Sequence, residues 1–287
     1  MIRNLLRRLP LLAAVLMLSH AALAIKPLRK YYQTPDSVGM AYQPIRISTP
    51  DKLQLQAWDC PPAAGPDKRT TIVLANGDAG NMGGWVHMAK ELTTQGYRVL
   101  LFDYRGFGQS DEFAIDQERL YYNEFADDLG AALAYARRQH PRNRTGILAF
   151  SMGTIMATKV AAREKLDFLI GEGYVADPIW HVENIKQLKD KTVTLPADAE
   201  RYQQLLPRIG CPMLLVAGTT DAFTPLAHSE QVVNAATGKQ VRRLVKFEGG
   251  HLQGSAKLSQ QRYADAYVQM ISDFITETSS KAKRRKA

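Results

Sequence analysis

The sequence predicts an α/β fold, a mostly parallel sheet of eight strands with helices on both faces. Three observations carry that expectation. Apolar runs of strand length alternate with amphipathic helical stretches through most of the 287 residues, the pattern of a sheet built from crossover units. The runs are close to continuously apolar, as strands covered on both faces must be. Polar loops follow several of them, and ligands on such sheets bind at the carboxyl ends of the strands.

Taken in order, residues 44–48 and 53–58 read as a hairpin turning at Thr49-Pro50-Asp51. The next run, 70–75, ends in Asn76-Gly77-Asp78-Ala79-Gly80-Asn81. A helix with Trp85, Met88, Ala89 and Leu92 on one face follows and closes at Gln95-Gly96. Residues 98–102 lead into Asp103-Tyr104-Arg105-Gly106-Phe107-Gly108-Gln109-Ser110, and 118–139 carry a long helical pattern stopped by Pro141. The run 145–150 precedes Ser151, with a helix over 154–163 behind it. Strands at 168–171, 213–217 and 243–247, a helix near 228–236 and a last helix to about 274 complete the alternation. Residues 177–207 are too long for an ordinary connection and read as a small cap over the site, within one domain spanning 25–278.

Residues 1–24 read as a secretory signal: Arg3, Arg7 and Arg8 lead into an apolar run that ends near Ala22-Leu23-Ala24, a small-x-small cleavage pattern. The expected location is periplasmic or secreted, with an uncleaved anchor as the alternative. The net charge of +9 invites a nucleic-acid reading, but without the three leader arginines and the five basic residues among 281–286 the body carries +1. That balance argues against a basic binding face. Residues 279–287 read as a disordered basic tail, leaving open a weak, salt-sensitive contact with an anionic membrane surface. Cys60 and Cys211 each precede a proline at the boundary of a different strand, so free thiols are expected although export permits a disulfide. No Cys, His, Asp or Glu cluster has metal-ligand spacing, and neither metal nor cofactor is expected.

The chemistry centres on Ala149-Phe150-Ser151-Met152-Gly153, where a strand run meets a helical pattern. Small neighbours suit a tight turn presenting a serine nucleophile; an N-cap serine fits the same five residues. Serine needs a base to take its proton and an acid to orient the base. Asp221 and His251 each fall in the first loop after a later strand, in the order acid then histidine. Each has a plainer reading, a helix cap and an idle loop residue; the joint order is what singles them out. His20 lies in the leader, His87, His140 and His228 lie in helical stretches, and His181 lies in the cap.

With these residues together, the chain resembles the α/β-hydrolase superfamily, in its esterase-like branch carrying H-G-N-A-G-N and D-Y-R-G-x-G-x-S signatures. The resemblance implies a Ser151, His251, Asp221 triad acting on a small-molecule ester, and an oxyanion hole from the backbone amides of Met152 and Asp78. Asn76 stands where the family has histidine. A carboxylate at Asp78, about 6 Å from an oxyanion at an effective dielectric near 20, would repel it by roughly 3 kcal/mol. Its side chain is therefore expected to turn away from the pocket or to pair with a cation such as Arg105. Thioesterase, amidase or peptidase chemistry stays open, as does a catalytically silent binding protein of the cell envelope favoured by Asn76 and Asp78.

Overall fold

In the computed structural model, which describes residues 24–63 and 65–284, alternate residues of each central strand feed two separate cores. Val73, Ala75, Leu100, Phe102, Ile147 and Ala149 belong to one core. Ile72, Leu74, Val99, Leu101, Leu148 and Phe150 belong to the other. Side chains alternate across a strand, so a run without polar residues requires cover on both sides of the sheet.

The elements in chain order are β1 (Lys26–Pro27), β2 (Gln43–Ser48), β3 (Gln54–Cys60), β4 (Thr70–Ala75), β5 (Ala79–Gly80), α1 (Val86–Thr94), β6 (Arg98–Phe102), α2 (Asn123–Gln139), β7 (Arg144–Phe150) and α3 (Met152–Arg163). They continue with β8 (Leu169–Glu172), α4 (Pro178–Lys189), β9 (Met213–Gly218), α5 (Leu226–Asn234), β10 (Arg242–Phe247), α6 (Gly254–Lys257) and α7 (Asp265–Arg284). Eight strands form the main sheet in the order β10-β9-β8-β7-β4-β6-β3-β2. β3 alone is reversed, antiparallel to both its neighbours β2 and β6; the other strands run in one direction. Phe125, Leu129 and Leu133 of α2 and Ile155, Met156 and Val160 of α3 cover one face. The other lies under Val86, Ala89 and Leu92 of α1 and Tyr267, Ile271 and Phe274 of α7.

The fold class expected from the sequence is thus the one observed. The leader lies outside the described residues except for Ala24. The tail expectation is corrected: α7 continues through Arg284, so the backbone of 279–284 is helical rather than disordered. Ser-Ser-Lys-Ala-Lys-Arg contains no breaker and ends in strong helix formers, so propagation of an existing helix costs little. The long helix starts at Asn123 instead of 118 because Asp116 closes a turn, accepting from the Glu118 amide at 2.9 Å. Cys60 and Cys211 are free and buried, as expected.

Residues 177–208 fold as α4 followed by a 3-10 helix, Ala197–Arg208. Asp177 caps α4 by accepting from the amides of Ile179 (2.9 Å) and Trp180 (3.2 Å). Nδ2 of Asn184 donates to the Ala222 carbonyl at 2.8 Å, docking α4 on the loop after β9.

Candidate active site

Ser151 takes φ +49°, ψ −119° between β7 and α3. A non-glycine residue here stores roughly 1–3 kcal/mol of backbone strain, and the strain is enforced from both sides. The Ser151 amide donates to the Glu172 carbonyl at 3.0 Å, and its carbonyl accepts from the Thr154 amide at 2.8 Å. Gly153 is required by close approach: a Cβ there would lie 2.4 Å from the carbonyl oxygen of Ala75 and 2.5 Å from that of Asn76. Ala149, at the other small position, is fully buried in the sheet.

Nε2 of His251 lies 3.0 Å from Ser151 Oγ, and its Nδ1 lies 2.9 Å from Asp221 Oδ2. The sequence-predicted serine, acid and histidine therefore meet in one relay. Asp221 also accepts from the amides of Phe223 and Thr224, both at 2.9 Å, and from Thr224 Oγ1 at 2.6 Å. Burial opposes its charge, but the His251 hydrogen bond and charge, with the Thr224 donors, outweigh burial and hold the carboxyl below its ordinary range. An ionised Asp221 fixes the proton of His251 on Nδ1 and leaves Nε2 free to accept from the serine.

The Met152 amide opens α3 beside the serine. The loop after β4 packs against it: a Cβ on Gly77 would lie 3.6 Å from Ser151 Cβ. Asn76 Nδ2 donates to the Phe102 carbonyl at 3.2 Å, tying this loop to β6, while its Oδ1 is buried without a partner among the described residues. The expected pairing of Asp78 with Arg105 is not found. Asp78 lines the cavity with Ser151. Burial pushes its carboxyl above the ordinary range, against the charges of His251, Lys189 and Lys191. Arg105 is engaged elsewhere, held at 2.7 Å by both Asp128 and Asp51. Asp128 lies in α2 and Asp51 at the hairpin turn, so the arginine staples sheet to helix and is unavailable to the pocket.

The cavity over Ser151 has a volume of about 120 Å³. Apolar Leu120, Val175, Ile185 and Val193 share its wall with His181, Phe223, Lys189 and Lys191. His181 lies 3.0 Å through Nδ1 from the Phe223 carbonyl, which fixes that nitrogen as the donor. Burial lowers its pKa to about 4, so the ring is neutral at pH 7. Phe223 packs edge-on to His251 at 5.5 Å and carries Lys189 Nζ over its ring at 4.6 Å. Thr224, Lys189 and Lys191 escape sequence reasoning because nothing in their local pattern marks them; folding alone brings the cap against the acid loop.

A serine on a strained elbow after the central strand, with an acid and a histidine after later strands, defines the α/β-hydrolase class. Residues 66–171 match the family described as serine aminopeptidase S33. The chain is 25% identical over 258 residues to the uncharacterised protein YfhR of Escherichia coli K12, covering 80% of this chain and 79% of that one. It is 30% identical over 146 residues to a probable lysophospholipase L2 of Haemophilus influenzae, covering 47% and 44%. An esterase from Pyrococcus furiosus superimposes with a TM-score of 0.70 at 18% identity, covering 88% of this chain and 97% of that one. The esterase domain of a Rhodothermus marinus protein gives 0.60 at 19% identity, covering 82% and 98%. These likenesses give the chain the α/β-hydrolase fold, which it shares with esterases of known structure.

Proposed function

We propose that this protein is an exported serine hydrolase that cleaves a carboxylic ester by acyl transfer to Ser151. The observation that carries the reading is the unbroken relay from Asp221 through His251 to Ser151 Oγ. His251 takes the serine proton as Oγ attacks the carbonyl, and Asp221 stabilises the imidazolium that forms. The amides of Met152 and Asp78 hold the developing oxyanion, one such donor contributing roughly 3–4 kcal/mol. His251 then returns its proton to the leaving alcohol, and water activated by the same imidazole releases the acid.

The compact, partly apolar cavity favours a short acyl group. Esterases among the structural relatives support an ester, while the aminopeptidase description of the matching family keeps an amide as the second reading. Export rests on the leader composition. A serine-directed fluorophosphonate is the test: the native protein labels and hydrolyses p-nitrophenyl butyrate, and Ser151→Ala, folded by circular dichroism, does neither. A native protein that neither labels nor turns over this ester would support a silent binding protein instead.

A further inference from the structure

One cation of the cavity has no counterpart in that mechanism. Nζ of Lys191 is buried and makes no hydrogen bond among the described residues, and Lys191 lines the cavity that holds Ser151 and His251. The chain just after it is anchored: the Thr194 amide donates to the Glu118 carbonyl at 2.8 Å, and the Leu120 amide to the Thr194 carbonyl at 2.9 Å. Lys189 stands in the same wall, its ammonium over the Phe223 ring.

The opposing charge is thin. Asp78 is the one carboxylate lining the cavity among the described residues, and burial resists its ionisation. His181 is neutral, and Glu118 acts on Lys191 only through space. An ammonium removed from water without a hydrogen-bond acceptor is costly, and burial lowers the Lys191 pKa accordingly. A bound anion would remove that cost, because charge-assisted hydrogen bonds are the strong ones.

We propose that Lys191, seconded by Lys189, binds an anionic group of the substrate, so that the preferred esters carry a carboxylate or phosphate a few bonds from the scissile carbonyl. This rests on the ester-hydrolase reading for the chemistry, though not for the anion site itself. The anion sits either at the far end of the acyl group or on the alcohol.

Two matched pairs separate those sources: p-nitrophenyl hydrogen glutarate against p-nitrophenyl valerate, and butyryl glycerol 3-phosphate against monobutyrin. The native protein favours the anionic member of at least one pair in kcat/KM by about 10–100-fold, the range expected for a hydrogen bond to a charged group. Lys191→Met collapses that ratio towards one, chiefly through KM; a ratio discounts any general effect on the site. No preference in either pair, or a preference that survives Lys191→Met, overturns the proposal. Melting of Ser151→Ala with glutarate and with inorganic phosphate gives a readout that needs no turnover. A rise in Tm that Lys191→Met abolishes supports the anion site even if no ester is hydrolysed, in which case the hydrolase reading alone falls. Hydrolysis of neutral esters with no anion-dependent rise in Tm leaves that reading standing and ends this one.

Discussion

Gly173, the residue after β8, holds φ +61°, and a Cβ there would lie 2.8 Å from Cε1 of His251. It is thus the floor on which the imidazole rests while its two nitrogens reach Ser151 and Asp221. Gly173→Ala costs about 1–2 kcal/mol for the left-handed backbone, lowering Tm by about 2–8 °C. The displaced ring costs more in rate: kcat falls about 10–100-fold, as misplacement of a reacting group does. A variant with native kcat would show that His251 does not need this seat. The juxtaposition of Ser151, His251 and Asp221 was legible because each of them follows a strand, and strand ends are visible in the apolar pattern. Gly173 was not, since its need arises from a ring 78 positions later in the sequence. The charges around Asp78 were hidden for a related reason: the two cap lysines that share its pocket lie far along the chain.

At the scale of elements, the loop after β6 is built around Asp103, which accepts from the Met82 amide at 2.7 Å and from the Tyr31 hydroxyl. Gly108 is obligatory beside it, because a Cβ there would collide with the carboxylate. The glycine-rich signature was readable in the sequence; its hub was not, because Tyr31 and Met82 enter from distant parts of the chain. Burial pushes the Asp103 carboxyl from 3.8 up to about 7, against the pull of those donors. The folded protein therefore binds this proton more tightly than the unfolded chain does. The contribution of Asp103 to stability is fullest below about pH 4 and declines as pH rises towards 7. Asn at 103 keeps an acceptor for Met82 and does not titrate. Asp103→Asn, compared with the native protein by urea unfolding between pH 4.5 and 7.5, gains relative stability as pH rises. A difference independent of pH would mean that Asp103 titrates in its ordinary range.

Across the whole molecule, the strap formed by the first described residues joins distant parts of the chain at the proposed oxyanion loop. β1 pairs in parallel with β5, the Lys26 amide donating to the Asp78 carbonyl and the Leu28 amide to the Gly80 carbonyl, each at 2.8 Å. Asn81 Nδ2 returns the contact, donating to the carbonyls of Leu28 (3.0 Å) and Lys30 (2.8 Å). Ile25 is fully buried, and Ala24 lines the cavity beside Ser151. The sequence suggests a leader ending at Ala24 but not that the next few residues brace the site, since a two-residue strand has no periodicity to read. Cleavage after Ala24 would leave Ile25 and β1 in place, whereas a start at Gln33 would remove both. A chain beginning at Ile25 should therefore hydrolyse p-nitrophenyl butyrate at the rate of the full-length chain. One beginning at Gln33 should retain the sheet by circular dichroism yet lose about 10²-fold in kcat, the scale of one oxyanion donor set loose. Equal rates for the two would show that the loop carrying Asp78 keeps its geometry without β1.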